Sequence, residues 1–95
     1  MNIGFAIKTL RKEKDISQGK LSDKVGISQA SISQIEQGVK SPTPANLKKI
    51  CKALGVSEPL LYLLATEASD IPKANKEKYD LLFPAIEGLI KQLAS

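Results

Sequence analysis

Residues 17–38 read SQGKLSDKVGISQASISQIEQG, and the reading of this stretch decides the fold. Ser17 is placed to cap a helix running from Gln18 to about Val25, in which Leu21 and Val25 stand at i, i+4 as an inner stripe. Gly26 stops that helix, since glycine takes a positive φ without a Cβ penalty. Ser28 caps a second short helix anchored by Ile27, Ile32 and Ile35, and Gly38 ends it.

Two short helices joined by a tight glycine turn are helix-turn-helix grammar. Once its isoleucines face inward, the second helix shows Gln29, Ala30, Ser33 and Gln34 outward, with Ser31 and Gln37 toward the flanks. An ordinary solvated helix carries Lys and Glu there. Short uncharged side chains can instead be desolvated against base edges at modest cost. Gln suits adenine N6 and N7 in the major groove, while Ala and Ser allow close approach and contact with a thymine methyl. Lys20, Lys24 and Lys40 surround this face and can meet phosphates. The competing reading is a merely polar helix surface.

Working outward, Asn2 can cap a first helix with Ile3, Phe5, Ile7 and Leu10 as its apolar positions, and Asp15 ends it. Downstream, Thr43 caps and Pro44 opens a fourth helix, in which Leu47, Ile50, Cys51 and Leu54 fall at i, i+3, i+4, i+7 before Gly55. Ser57 and Pro59 open a fifth, Glu58 to about Ala65, apolar on every side and so in need of cover beyond the first four helices. Beyond a polar stretch interrupted by Pro72, the residues Tyr79, Leu82, Ile86, Leu89 and Leu93 alternate at spacings of three and four, with Phe83 and Ile90 widening the stripe. Pro84 and Gly88 predict a helix kinked there, or two helices meeting near Phe83.

Ninety-five residues with 42% hydrophobic and 25% charged content fit one globular unit, and with aromatics at only 4% its core is expected to be aliphatic. The net charge of +4 is uneven. Residues 1–56 hold ten Lys or Arg against Glu13, Asp15, Asp23 and Glu36, a balance of +6, whereas residues 57–95 hold four Lys against six carboxylates, a balance of −2. A basic part joined to a mildly acidic one points to an anionic partner for the first and another task for the second. One cysteine and no histidine exclude an intrachain disulfide and a Cys/His metal cluster, and Cys51 at core spacing reads as packing, not as a sensor. No cofactor is expected, and with no activated nucleophile and no glycine-rich phosphate loop an enzyme reading has no support. The longest apolar run, Leu60 to Ala65, is far short of the ~20 residues of a membrane span, so a cytoplasmic location is expected.

From about Ile7 to Leu64 the chain resembles the XRE family of bacterial and phage regulators, of the lambda-repressor and Cro type. The residues that carry the resemblance are IKTLRKEKDISQGKLSDKVGISQASISQIEQG and then SPTPANLKKICKALGVS. The resemblance implies an all-α fold, a five-helix lambda-repressor-like domain to which the C-terminal helix is added. It also implies that Gln29, Ala30, Ser33 and Gln34 face bases, that Ser17, Gln18, Ser31, Gln37 and Lys40 contact phosphate, and that Arg11 and Glu36 form a structural ion pair. Lys48, Lys49 and Lys52 lie outside the matching positions and read as solvated surface. The chain departs from the family pattern at Asp15, where glycine is common, and at Gly19 and Ser22, where Glu and Ala are frequent.

The expected organisation is a DNA-binding domain over residues 1–66, a linker over 67–74 and a C-terminal helical extension over 75–95. The tail stripe, Tyr79, Leu82, Phe83, Ile86, Leu89, Ile90 and Leu93, either pairs with its twin or folds back over the fifth helix. The dimer is the favoured reading, because the fifth helix and the tail offer more apolar surface than a small domain needs. The function expected is that of a transcriptional regulator, a repressor bound as a homodimer to a palindromic operator in double-stranded DNA. The alternative is an antitoxin-type module that clasps a protein partner while binding its own operator.

Overall fold

The computed structural model describes residues 1–72 and 75–94, with element bounds fixed by the caps the sequence supplies. Helix α1 spans Ile3–Glu13, α2 Gln18–Val25, α3 Gln29–Glu36, α4 Pro44–Leu54 and α5 Glu58–Ala65; a 3₁₀ turn at Ala68–Asp70 then leads to α6, Lys76–Ala94. Among the described residues there is no strand. Lys73 and Ala74, the end of the expected linker, and Ser95, the end of the expected tail, lie outside them.

Asn2, Ser17, Ser28, Thr43 and Ser57 each accept a backbone N–H from the first turn of the helix that follows, satisfying donors that helix starts leave orphaned. The core is aliphatic. Ile7 and Leu10 of α1, Leu21 of α2, Ile32 of α3, Ile50 and Leu54 of α4, and Leu61 and Leu64 of α5 are all essentially sealed from solvent. Each such side chain contributes about 1.5–3 kcal/mol of transfer free energy. Cys51 is buried among them, and that burial pushes its thiol pKa up, as suits a packing residue. Phe5, read as an apolar position of the first helix, is 46% exposed instead, because α1 turns Ala6, Ile7 and Leu10 inward.

Helix α1 is the central strut, packing against α3, α4, α5 and α6. The Asn2 N–H donates to the Ala65 carbonyl at 2.7 Å, joining the start of α1 to the end of α5. Gly4 brings α1 against the C-terminal end of α3, where a Cβ would stand 2.2 Å from the Ile35 carbonyl oxygen and 2.8 Å from that of Glu36. Only glycine permits this approach.

The tail differs from the favoured expectation. Helix α6 runs unbroken from Lys76 to Ala94 with Pro84 inside it, so there are not two helices meeting near Phe83. The missing Pro84 N–H leaves the Asp80 carbonyl without its helical donor, and both residues are exposed, so water can take its place. Four residues read as dimer contacts, Tyr79, Phe83, Ile86 and Ile90, turn toward their own chain instead: Ile90 is 2% exposed within the core, Ile86 leans on it, the Tyr79 hydroxyl donates to the Thr66 carbonyl at 2.7 Å, and the half-buried Phe83 ring lies against that of Tyr79. The physical reason is apolar surface left open along both α1 and α5, against which α6 packs, although Tyr62 and Leu63 of α5 stay exposed. Leu82, Leu89 and Leu93 remain exposed on an adjacent strip of α6. Among the described residues no helix is long and apolar enough to cross a membrane.

Candidate nucleic-acid interface

The geometry of residues 17–38 rests on three local devices. Ser17 holds the N-terminus of α2, its Oγ accepting from the Lys20 N–H at 3.0 Å. Gly26 adopts φ +81°, and its N–H closes α2 onto the Ser22 carbonyl at 2.8 Å. The Ser22 hydroxyl then donates across the turn to the Ile27 carbonyl, so a serine of low helix propensity is used as a stitch between the two helices.

Helix α3 is anchored from below by a buried ion pair. Arg11 Nε donates to Glu36 Oε2 at 2.7 Å and Nη2 to Oε1 at 3.0 Å, a fork-to-fork contact, while Nη1 caps the Ile16 carbonyl at 2.9 Å. The two side chains are 10% and 2% exposed, and the Glu36 carboxylate holds the guanidinium pKa above its ordinary value. Gln18 Nε2 adds a third donor to Glu36 at 3.1 Å. The C-terminus of α3 is thus tied to both α1 and the first residue of α2.

Above this anchor, Gln29, Ala30 and Gln34 are exposed on the outer face of α3. Ser33 is half-buried, its Oγ accepting from Gln37 Nε2 at 3.0 Å. Ser31 sits at the flank, where its Oγ receives the Ser28 hydroxyl at 3.0 Å and the Lys40 ammonium at 3.3 Å. Of the five residues read as phosphate contacts, Ser17, Gln37 and Lys40 are exposed, whereas Gln18 and Ser31 are half-buried and committed to Glu36 and Lys40. Neither α2 nor α3 carries an acidic residue in its first turn, so the positive ends of both helix dipoles are left uncompensated on this side. The result is an uncharged polar ridge with cationic flanks, able to hydrogen-bond planar donor and acceptor groups at its crest and anions at its edges. Gly4 was missed as a positioning residue for α3. A glycine in the first turn of a helix is a signal that something approaches closely, although not of what.

Residues 7–61 match the helix-turn-helix family over more than half of the chain. The chain belongs to the XRE-type helix-turn-helix family. The family segment runs from Ile7 in α1 to Leu61 in α5 and so contains the whole Arg11–Glu36 anchor and the ridge on α3. Among curated relatives, the competence pilus inhibition repressor of Acinetobacter baylyi is 37% identical over 65 residues, 68% of this chain and 59% of that protein. An uncharacterised HTH-type transcriptional regulator of Mycobacterium tuberculosis is 36% identical over 62 residues, covering 65% of this chain and 44% of the relative. The HTH-type transcriptional repressor RghR of Bacillus subtilis is 36% identical over 63 residues, or 64% and 47% of the two chains. The chain therefore spans about half the length of these relatives. No solved structure matches it significantly.

Proposed function

We propose that the protein is a sequence-specific, double-stranded-DNA-binding transcriptional regulator, a repressor that occupies a palindromic operator as a homodimer in the cytoplasm. The observation that carries this reading is the outer face of α3, where Gln29, Ala30 and Gln34 stand exposed and uncharged beside Lys40 in a chain of the helix-turn-helix family. Gln29 and Gln34, with Ala30 and Ser33 between them, read base edges in the major groove; Ser17, Gln18, Ser31, Gln37 and Lys40 contact the backbone and set the register. Relatives named as repressors support a regulator over an enzyme. Residues 1–66 act as the DNA-reading unit, and residues 75–95 brace it and present the dimer contact.

The dimer reading is supported by Leu82, Leu89 and Leu93, which leave an apolar strip on α6 after the inner stripe has been consumed by the protein's own core. Two copies joined there would bring two reading helices to successive major grooves when they lie about 34 Å apart.

Selection of bound sequences from random DNA is expected to return a palindrome. On that sequence Gln29→Ala or Gln34→Ala should cost about 1–3 kcal/mol while leaving affinity for random DNA nearly unchanged. Equal losses on both substrates would rule out base reading by these residues.

A further inference from the structure

Three of the chain's four aromatic residues, Phe5, Tyr79 and Phe83, line one cavity of about 330 Å³ between α1, α5 and α6. The buried core holds none of them, so core filling does not account for their convergence. The Tyr79 and Phe83 rings lie with centroids 5.0 Å apart and planes tilted by 31°, and the bond from the Tyr79 hydroxyl to the Thr66 carbonyl fixes the phenol. Leu64 adds apolar wall. The charged residues of the lining are Glu67 and Glu87, both carboxylates. Glu67 meets the N-terminal amine at 3.0 Å, and Lys91, one turn along α6 from Glu87, reaches one of its oxygens at 3.3 Å.

The volume lies at the lower end of the roughly 300–1,000 Å³ of small-molecule sites. Aromatic faces carry negative charge density, and Glu87 keeps one carboxylate oxygen outside its hydrogen bond with Lys91, so the lining favours a cation and disfavours an anion. We propose that this cavity binds a small arylalkylammonium ligand, its apolar body against Phe5, Phe83 and Leu64 and its ammonium at Glu87. No residue of α2 or α3 lines the cavity. The ligand thus sits apart from the base-reading ridge and fastens α6 to the body.

The test is titration of the full chain, followed by backbone amide NMR, with three matched probes: 2-phenylethylammonium, neutral 2-phenylethanol and anionic phenylacetate. Saturable shifts around Phe5, Leu64, Thr66 and Phe83 are expected with the cation, which should bind about twofold to fivefold more tightly than the alcohol, the size of an exposed ion pair with Glu87. Phenylacetate should bind more weakly than either. Glu87→Gln, which keeps the side chain's size and gives up only the half-exposed pair with Lys91, should erase the preference for the cation over the alcohol, and Phe83→Leu should weaken both. Absence of saturable shifts at these amides with all three probes would overturn the proposal, as would a cation preference that Glu87→Gln leaves unchanged.

Discussion

Arg11 enters the protein interior with its charge intact because each of its three guanidinium nitrogens donates a hydrogen bond, two to Glu36 and one to the Ile16 carbonyl. Removing one side of such a pair is more damaging than never having it. Arg11→Ala would strand a carboxylate with only Gln18 to meet it, and a loss of about 3–5 kcal/mol is expected in urea denaturation. Arg11→Lys keeps the charge but not the fork and should fall between. A loss under about 1 kcal/mol for the alanine variant would show that the pair does not hold α3. Asp15 presents the opposite case. It sits at φ +55°, the left-handed region that costs a residue with a Cβ, so Asp15→Gly should stabilise the protein by roughly 0.5–1 kcal/mol; an unchanged or lower melting temperature would contradict this. The strain at Asp15 was legible through the family resemblance, in which glycine is common at that position. The role of Gly4 was not, since the carbonyls it admits belong to residues more than thirty positions away.

At the scale of elements, the five caps and the glycine stops made the boundaries of α1 to α5 readable, because capping chemistry is local and each signal lies within four residues of what it controls. The destination of α6 was not readable. Its apolar residues form a band wide enough to be split, and at about 100° per residue Tyr79, Phe83, Ile86 and Ile90 centre on one line while Leu82, Leu89 and Leu93 centre on another about 70° away. Pattern alone assigned both lines to one interface. Helices α1 and α5 take the first, and the second is the strip on which the proposed dimer rests. The double variant Leu82→Glu and Leu89→Glu should therefore convert a dimer to a folded monomer in sedimentation equilibrium, with helical content by circular dichroism preserved. A wild-type chain that is monomeric at micromolar concentration would remove the dimer from the proposal.

Across the whole molecule, charge and packing divide the chain differently. Charge splits it near Val56, basic before and mildly acidic after, but the core does not respect that line, since Ile90 near the far end is sealed in the same cluster as Ile7 and Leu10. The tail is therefore structural for the N-terminal helices as well as a surface in its own right. Composition changes along the chain and so marks a division, whereas burial depends on which faces meet.

The ridge on α3 has one more consequence, for how the protein would respond to its ionic surroundings. Its crest carries Gln, Ala and Ser and no charge, while the cations stand at the edges. Counterions released on binding would then come from the lysine and phosphate contacts alone, which a cognate and a random duplex share, at a slope near −0.9 per phosphate neutralised. Raising salt should weaken binding to both duplexes in parallel, leaving their affinity ratio nearly constant. Parallel lines in a plot of log affinity against log salt would show this, and converging lines would mean that charged side chains take part in the reading. On this architecture the protein would lose grip in a saltier cell without losing discrimination.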